Sequence, residues 1–267
     1  MSAALDRIAA LLAKAERTEI EAEADAYLMK AQQLATLASV DLAVARARTA
    51  RREARQQPES RTTTIGEKGR RANPHLVSLF VAIAHANDAK VDVAANSTYV
   101  IGYGMPADLD VIETMFASLA VHMVHSGQAY VTAGSWRTET YLAVAARTRR
   151  REHRPHTAQT ARAAFYRAYV ERMSERLSQA RLAALDHVAR TVSAPEHESG
   201  ALVLRRKAAE VGSYHATQSR ARGSWGGYSG AVRRPSGSAA EAGRGAASRA
   251  RLTKQAELPG KGPGIGP

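Results

Sequence analysis

Apolar side chains in the first 41 residues recur at helical spacing, and this pattern restricts the fold more than any other stretch does. The first stripe comprises Leu5, Ile8, Leu12 and Ala15. The second stripe comprises Ala24, Tyr27, Leu28, Ala31, Leu34 and Leu37. Two short amphipathic helices so close in sequence can bury their stripes by folding back on each other. The pattern therefore predicts an antiparallel helical hairpin over residues 1–42.

The boundary between the two helices is marked by capping chemistry. Thr18 and Glu21 have the spacing of a capping box, in which a hydroxyl and a carboxylate each satisfy a free backbone amide at the start of a helix. Glu19, Glu21 and Glu23 also suit the positive end of that helix. A hairpin of about 40 residues is too small to be stable alone, so the rest of the chain must supply more core.

The second helix of this hairpin also carries a family resemblance. The segment EAEADAYLMKAQQLATLASVD resembles the bacterial and phage family of domain of unknown function 2786, with Ala35 where a Met is usual. The matching residues are Glu21, Ala22, Ala26, Lys30, Ala31, Gln32, Leu34 and Asp41. Further along, Gly102-Tyr103 and the segment RAAFYRAYVERMSERL resemble the associated domain of unknown function 7168. Neither resemblance implies a mechanism.

Residues 74–252 are predicted to form an α+β domain, in which long helices cover a small β-sheet. Its expected elements are a helix at 75–86, a β-hairpin at 91–101, a helix beginning at Pro106, a helix at 157–190, a segment at 201–216 that begins strand-like and continues as a helix, and a last helix at 239–252. Residues 43–73 are predicted as a basic linker and 253–267 as a disordered tail. The whole chain is thus predicted to be α+β and predominantly helical.

Basic residues are concentrated in three blocks and are almost all Arg. The chain of 267 residues has a formal net charge of +13. Arg suits bidentate phosphate contact, and interleaved aromatic rings suit base stacking on single strands. The nucleic-acid-binding candidates are Arg149, Arg150, Arg151, Arg154, Arg220, Arg222, Trp225, Tyr228, Arg233 and Arg234. Those from 149 to 154 belong to a predicted basic loop at 147–156, and the others to one at 220–238. GC-rich coding produces the same composition without a functional cause, so both interpretations stay open.

Four residues are candidates for a pocket or for holding the two domains together: Tyr103, Asp108, Arg162 and Arg176. Arg162 falls within the apolar arc of the helix at 157–190, and Arg176 falls on its edge. These side chains could pair with acidic residues of the hairpin or of 108–113. Alternatively, Arg162 could join Tyr103 and Asp108 around an anionic ligand.

Other classes of site lack their signatures. The chain has no Cys, which excludes disulfides and thiolate metal sites. His122 and His125 have a spacing that can hold zinc, but no third ligand is indicated, so we predict no metal and no cofactor. There is no nucleophile elbow and no phosphate-binding loop. No apolar run approaches the roughly 20 residues of a membrane span, so no membrane partner is expected.

These observations predict a cytoplasmic protein, phage-related or from a high-GC bacterium, that binds DNA or RNA through its basic blocks without catalytic activity. Two alternatives remain. One is a hydrolase-like enzyme with an anionic-ligand pocket near Tyr103, Asp108 and Arg162. The other is an interaction scaffold that binds a protein partner through the acidic face of the N-terminal hairpin.

Overall fold

A computed structural model of the protein describes residues 3–17, 21–49, 56–144, 150–191, 200–227 and 237–250. Within these ranges, the helices are α1 (Ala3–Arg17), α2 (Glu21–Thr49), α3 (Asn73–Ala86), α4 (Pro106–Ala133), α5 (Ala158–Thr191), α6 (Gly200–Gln218) and α7 (Gly237–Ser248). The strands are β1 (Glu59–Thr64), β2 (Lys90–Val93), β3 (Tyr99–Gly104), β4 (Thr140–Val144) and β5 (Arg151–Pro155). The prediction of a predominantly helical α+β fold is confirmed.

The N-terminal helices α1 and α2 pack against each other as the apolar stripes predicted. Ile8, Leu28, Ala31 and Ala35 are buried in the same core as residues of α3, α4 and α5, so the hairpin is part of the main body. Helix α2 begins at Glu21 and runs to Thr49, into the segment predicted as a linker. The predicted cap at Thr18 lies outside the described residues.

The predicted linker also contains a strand that the sequence analysis did not identify. Strand β1 has the sequence ESRTTT and pairs antiparallel with β3, which gives a three-stranded sheet in the order β1-β3-β2. Thr62 and Asp92 both lie opposite Ile101 of the central strand. Thr favours strands, but this strand lacks apolar residues because one of its faces is open to solvent. Its hydrophobic signal was therefore absent.

Glycines in β3 allow the sheet to lie close to α4. A Cβ at Gly102 would lie 3.3 Å from Leu109 Cδ2, and one at Gly104 would lie 3.2 Å from the same atom. Since successive side chains in a strand point to opposite faces, this packing leaves Tyr99, Ile101 and Tyr103 on the other face. The sheet therefore has a core face and an open face.

The segment 147–156, predicted as a basic loop, contains strand β5. It pairs antiparallel with β4, so that Leu142 lies opposite His153. Most residues of β5 are exposed or half-buried, and it is β4 that supplies the buried residues Tyr141 and Ala143. A charged edge strand of this kind depends on its partner for its conformation, which explains why its own sequence indicated a loop.

Helix α5 runs through the core and has the apolar face predicted for it. Phe165, Tyr166, Tyr169, Met173 and Leu177 are all buried, and α5 contacts α2, α3, α4 and α7. Helix α6 differs from its prediction at one end. It is helical from Gly200 onward, so the strand-like start was wrong. The apolar run ALVL there forms about one turn of an amphipathic helix, with Val203 and Leu204 buried.

A buried charge network joins four helices to one another. The ammonium of Lys207 on α6 is 3% exposed and lies 3.0 Å from Asp108 Oδ2 at the start of α4 and 3.2 Å from Asp88 Oδ2 after α3. It also donates to Ser39 Oγ on α2. Arg181 of α5 pairs with Asp88 at 2.5 Å. Because buried charges are costly unless they are paired, this network fixes how α6 sits on the body.

We expect Lys207→Met to lower the free energy of unfolding by about 3 kcal/mol, because it leaves Asp108 buried without its ammonium partner. Adding Asp108→Asn should recover part of this loss, since no unpaired carboxylate then remains. Urea unfolding followed by circular dichroism measures both. Lys68→Met on the exposed surface serves as the control and should change stability by less than about 0.5 kcal/mol. A loss as small as the control's for Lys207→Met would contradict this account.

Two glycines in helices should respond to alanine in opposite ways. A Cβ at Gly243 of α7 would lie 2.3 Å from the Phe165 carbonyl oxygen and 3.0 Å from Ala168 Cβ, whereas nothing lies within 4 Å of a Cβ at Gly212 of α6. Gly243→Ala should therefore destabilise the protein by about 1–3 kcal/mol through overpacking. Gly212→Ala should stabilise it by up to about 1 kcal/mol through helix propensity. Thermal unfolding distinguishes them, and a higher melting temperature for Gly243→Ala would contradict the packing of α7 on α5.

Candidate nucleic-acid interface

The open face of the three-stranded sheet forms one wall of a pocket of about 390 Å³. Tyr99, Ile101 and Tyr103 of β3 line it in the centre, with Ser60 and Thr62 of β1 on one side. Tyr99 is 42% exposed, whereas Tyr103 is buried. The pocket thus offers an accessible aromatic ring and two hydroxyl groups on a rigid strand framework.

Asp92 of β2 is the centre of the hydrogen bonding at this pocket. Its Oδ2 accepts hydrogen bonds from Tyr103 Oη at 2.8 Å and from Ser219 Oγ at 2.7 Å. Its Oδ1 accepts one from His215 Nε2 at 2.9 Å. The Tyr103 and His215 rings also meet edge to face, with their centroids 4.8 Å apart. The end of α6 is therefore fixed to the sheet at this residue.

The same contacts change the acidity of two groups. Burial by itself raises the pKa of Asp92, but the hydrogen bonds from His215, Ser219 and Tyr103 outweigh it, so the pKa lies below its ordinary value of 3.8. Burial and the hydrogen bond to Asp92 raise the pKa of Tyr103 to about 12. At neutral pH the pocket therefore holds a carboxylate and a protonated phenol.

The basic segment after α6 reaches this pocket. Arg220 lines it beside Tyr99, while Arg222 and Trp225 follow on the same exposed segment. The Trp225 ring is 38% exposed. The structure thus brings one of the predicted nucleic-acid-binding residues, Arg220, to the open face of the sheet, and Arg222 and Trp225 follow it in the chain. The other candidates of this block, Tyr228, Arg233 and Arg234, lie outside the described residues.

The second basic block lies at the other end of α4. Arg150 precedes β5, and Arg151 and Arg154 lie on this strand, with Arg154 paired to Glu152. Arg149 lies outside the described residues. Strand β3 ends just before α4, and β4 begins soon after it. The 28 residues of α4 therefore separate the two blocks by a helix about 42 Å long.

The pocket suggested by Tyr103, Asp108 and Arg162 does not form as one site. Arg162 Nη2 donates to Gln128 Oε1 at 2.8 Å. Gln128 follows Asp108 on α4 by 20 residues, or about 30 Å of helix. The sequence could not indicate which end of α4 lies next to Arg162 of α5. Tyr103 instead belongs to the sheet pocket, and Asp108 pairs with Lys207.

The two arginines of α5 contact two other helices, α4 and α7. Arg162 bonds to Gln128, and the buried Arg176 donates from Nη1 to the carbonyl oxygen of Ala247 at the end of α7. Arg162 is thus bound to an amide, and Arg176 is bound to a backbone carbonyl. Lys207, which the sequence analysis did not identify, adds a charged contact to the hairpin by donating to Ser39 Oγ.

The sequence analysis missed Tyr99 and Asp92, which line the sheet pocket, and His215 and Ser219, which hydrogen-bond to Asp92. Asp92 and His215 are separated by 123 residues, so no local motif could have linked them. The one available signal was strand alternation, which puts Tyr99 on the same face as Tyr103.

Two further properties bear on the class of site. In the part of the chain that the structure describes, no group of three or more His, Cys, Asp or Glu side chains could hold a metal ion. His122 Nδ1 instead lies 3.1 Å from Tyr169 Oη. None of the described helices is both long enough and apolar enough to cross a membrane.

Comparison with known proteins finds a match for the hairpin alone. Residues 3–42 match the family described as Protein of unknown function (DUF2786). The resemblance of the N-terminal segment is thereby confirmed, and the matched residues comprise α1 and most of α2. No curated protein and no solved structure matches the chain. The DUF2786 hairpin includes none of the residues of the sheet pocket.

Asp92→Asn should lower the free energy of unfolding by about 1 kcal/mol at pH 7, because an amide replaces a carboxylate that accepts three hydrogen bonds. The folded pKa of Asp92 is below the unfolded one, so the carboxylate stabilises the fold above the unfolded pKa and loses this effect as the pH falls. The difference between variant and wild type should therefore shrink below about pH 4. Urea unfolding between pH 3 and 7 measures it.

The exposed Asp186→Asn is the matched control and should have little effect at any pH. A deficit for Asp92→Asn that stays the same from pH 7 to pH 3 would show that the carboxylate charge is not what stabilises this cluster.

Proposed function

We propose that the protein binds single-stranded nucleic acid on the open face of its three-stranded sheet and that it acts there without catalysis. The observation that carries this proposal is the presence of the accessible Tyr99 ring and the Arg220 side chain in one pocket. An aromatic ring can stack on any base, and a guanidinium can bind the neighbouring phosphate. Arg222 and Trp225 extend the same combination away from the pocket.

The rest of the chain supports an anionic ligand of some length. A net charge of +13 favours association with polyanions. The arginines of the β4–β5 hairpin lie at the far end of α4, so a longer strand can contact both basic blocks while a short one contacts a single block. Simultaneous contact raises the effective concentration at the second block. Affinity should therefore rise with oligonucleotide length.

A fluorescein-labelled single-stranded DNA of 20 nucleotides, titrated with protein while its anisotropy is measured, tests the interface. Tyr99→Ala should weaken binding about 10-fold through lost stacking, whereas Tyr99→Phe should bind like the wild type. The double variant Arg220→Ala/Arg222→Ala should weaken binding and reduce the slope of log affinity against log salt by about 1.4. The same titration with RNA and with duplex DNA establishes the type of strand.

The matched control for the charge change is Arg244→Ala/Arg249→Ala, which removes two exposed arginines from the end of the chain that forms α7. It should change affinity less than twofold. Retention on heparin without binding to single- or double-stranded nucleic acid at low salt would overturn the proposal. Equal losses of affinity in the two double variants would also overturn it, because the arginines would then act only through net charge and not at a defined site.

A hydrolase at the same pocket is the second candidate, and the Asp92–His215 pair favours it. A carboxylate that accepts from one imidazole nitrogen orients the ring and leaves the other nitrogen available as a base. Incubation of labelled RNA with the protein should then give cleavage that His215→Gln abolishes while binding is retained. Cleavage that is absent, or that is equal in both proteins, excludes this candidate.

We also propose that residues 74–252 correspond to the associated domain of unknown function 7168, on the strength of Gly102-Tyr103 and the segment RAAFYRAYVERMSERL in α5. A cytoplasmic location and a phage or high-GC bacterial origin remain part of this proposal. Both fit a protein without Cys that is rich in Arg.

A further inference from the structure

A second cavity, of about 710 Å³, lies between the DUF2786 hairpin and the start of α4. Leu5 and Ile8 of α1, Ala35 and Leu42 of α2, and Val111 of α4 form much of its apolar lining. Leu42 is 44% exposed and adds its apolar surface to that of the other residues of this lining. The cavity is therefore an apolar groove that is open to solvent.

The rim of this groove is acidic, although the protein as a whole is basic. Asp6 of α1 and Asp110 and Glu113 of α4 line it, and among its described lining residues there is no Lys, Arg or His. Asp110 lies 2.5 Å and Glu113 3.4 Å from Arg61 of β1, which also pairs with Glu59. One guanidinium thus serves three carboxylates, so the described residues of this wall carry an excess of negative charge. Asp6 adds to it from the opposite wall.

The negative charge of the rim determines which kind of ligand can bind in the groove. A polyanion such as nucleic acid is repelled, and a cationic partner is attracted. The α4 wall runs from Pro106 to Thr114, which is about 12 Å of helix. Two turns of a partner helix have about this length, and they present apolar side chains at positions i, i+3 or i+4, and i+7. The groove is therefore long enough to contact two turns of a helix.

We propose that the groove between the DUF2786 hairpin and α4 binds a basic amphipathic helix of a partner protein. Apolar side chains of that helix enter between Leu5, Leu42 and Val111, and its Lys or Arg side chains pair with Asp6, Asp110 and Glu113. The site uses no residue of the sheet pocket, so it does not depend on nucleic-acid binding. It gives the DUF2786 hairpin a function of its own, the recruitment of a protein partner.

The test uses the full chain and two fluorescein-labelled model helices of 14 residues that share their Leu positions. One helix carries Lys at every polar position and the other carries Glu. Anisotropy at 50 mM and 300 mM NaCl measures binding. We expect the Lys helix to bind at least 10-fold more tightly than the Glu helix at low salt, with a difference that shrinks at high salt. The net positive charge of the protein makes this preference informative.

Variants locate the binding. Leu42→Ser and Asp6→Asn should each weaken binding of the Lys helix about 5- to 10-fold. The matched controls are Leu202→Ser, at a Leu that is 41% exposed on α6, and Asp186→Asn, at an exposed Asp on α5. Both should bind like the wild type. Leu42 and Asp6 are exposed, so these variants should keep the fold, which circular dichroism checks.

Three outcomes would overturn the proposal. The first is equal affinity for the Lys and Glu helices. The second is an effect of Leu42→Ser no larger than that of Leu202→Ser. The third is a dimer of the free protein in sedimentation equilibrium that Leu42→Ser dissociates, because the groove would then be covered by a second copy of the chain.

Discussion

The buried ammonium of Lys207 is the contact on which the arrangement of this protein depends. It lies on α6, where this helix meets α2, α4 and the turn after α3, and each of these three segments supplies a partner for it. A charge removed from water requires partners at hydrogen-bonding distance. Helices that meet at Lys207 therefore cannot shift relative to one another without separating charges, which makes this point more specific than apolar packing alone.

The position of the sheet pocket follows from that constraint. Lys207 and His215 are eight residues apart on α6, or about 12 Å of helix. Lys207 is bound to Asp108, and His215 is bound to Asp92. The end of α6 must therefore lie across the open face of the sheet. Ser219 and Arg220 directly follow α6, so they lie at the pocket. The buried charge in the core thus determines where an exposed basic segment begins.

The two candidate sites have opposite charge and lie on different elements. The sheet pocket combines Tyr99 with Arg220, and the groove beside the hairpin combines Leu42 with Asp6. Under the two proposals, a nucleic acid would bind at the first site and be repelled from the second, whereas a basic helix would have the reverse preference. The two sites share no lining residue, so both ligands could be bound at once.

Periodicity predicted the elements that bury a face of their own. The stripes of α1, α2, α4 and α5 needed no knowledge of their neighbours, because an amphipathic pattern specifies a helix locally. Strands β1 and β5 were missed because they have no apolar pattern of their own. ESRTTT and REHRP bury little, and their conformation depends on β3 and β4, to which they are hydrogen-bonded. The start of α6 was misassigned because a short apolar run fits either a strand or a helix.

The sequence by itself therefore determined the fold class, the helical hairpin and the residue types of a basic interface. It did so because apolar spacing and charge are properties of a segment. Tertiary structure alone decided that Arg220 joins Tyr99, that Arg162 lies far from Asp108, and that Lys207 is the buried cation. The hydrogen bonds of Lys207, for example, join residues that are 99 and 168 positions apart in the sequence, and only the packing of helices brings such residues together.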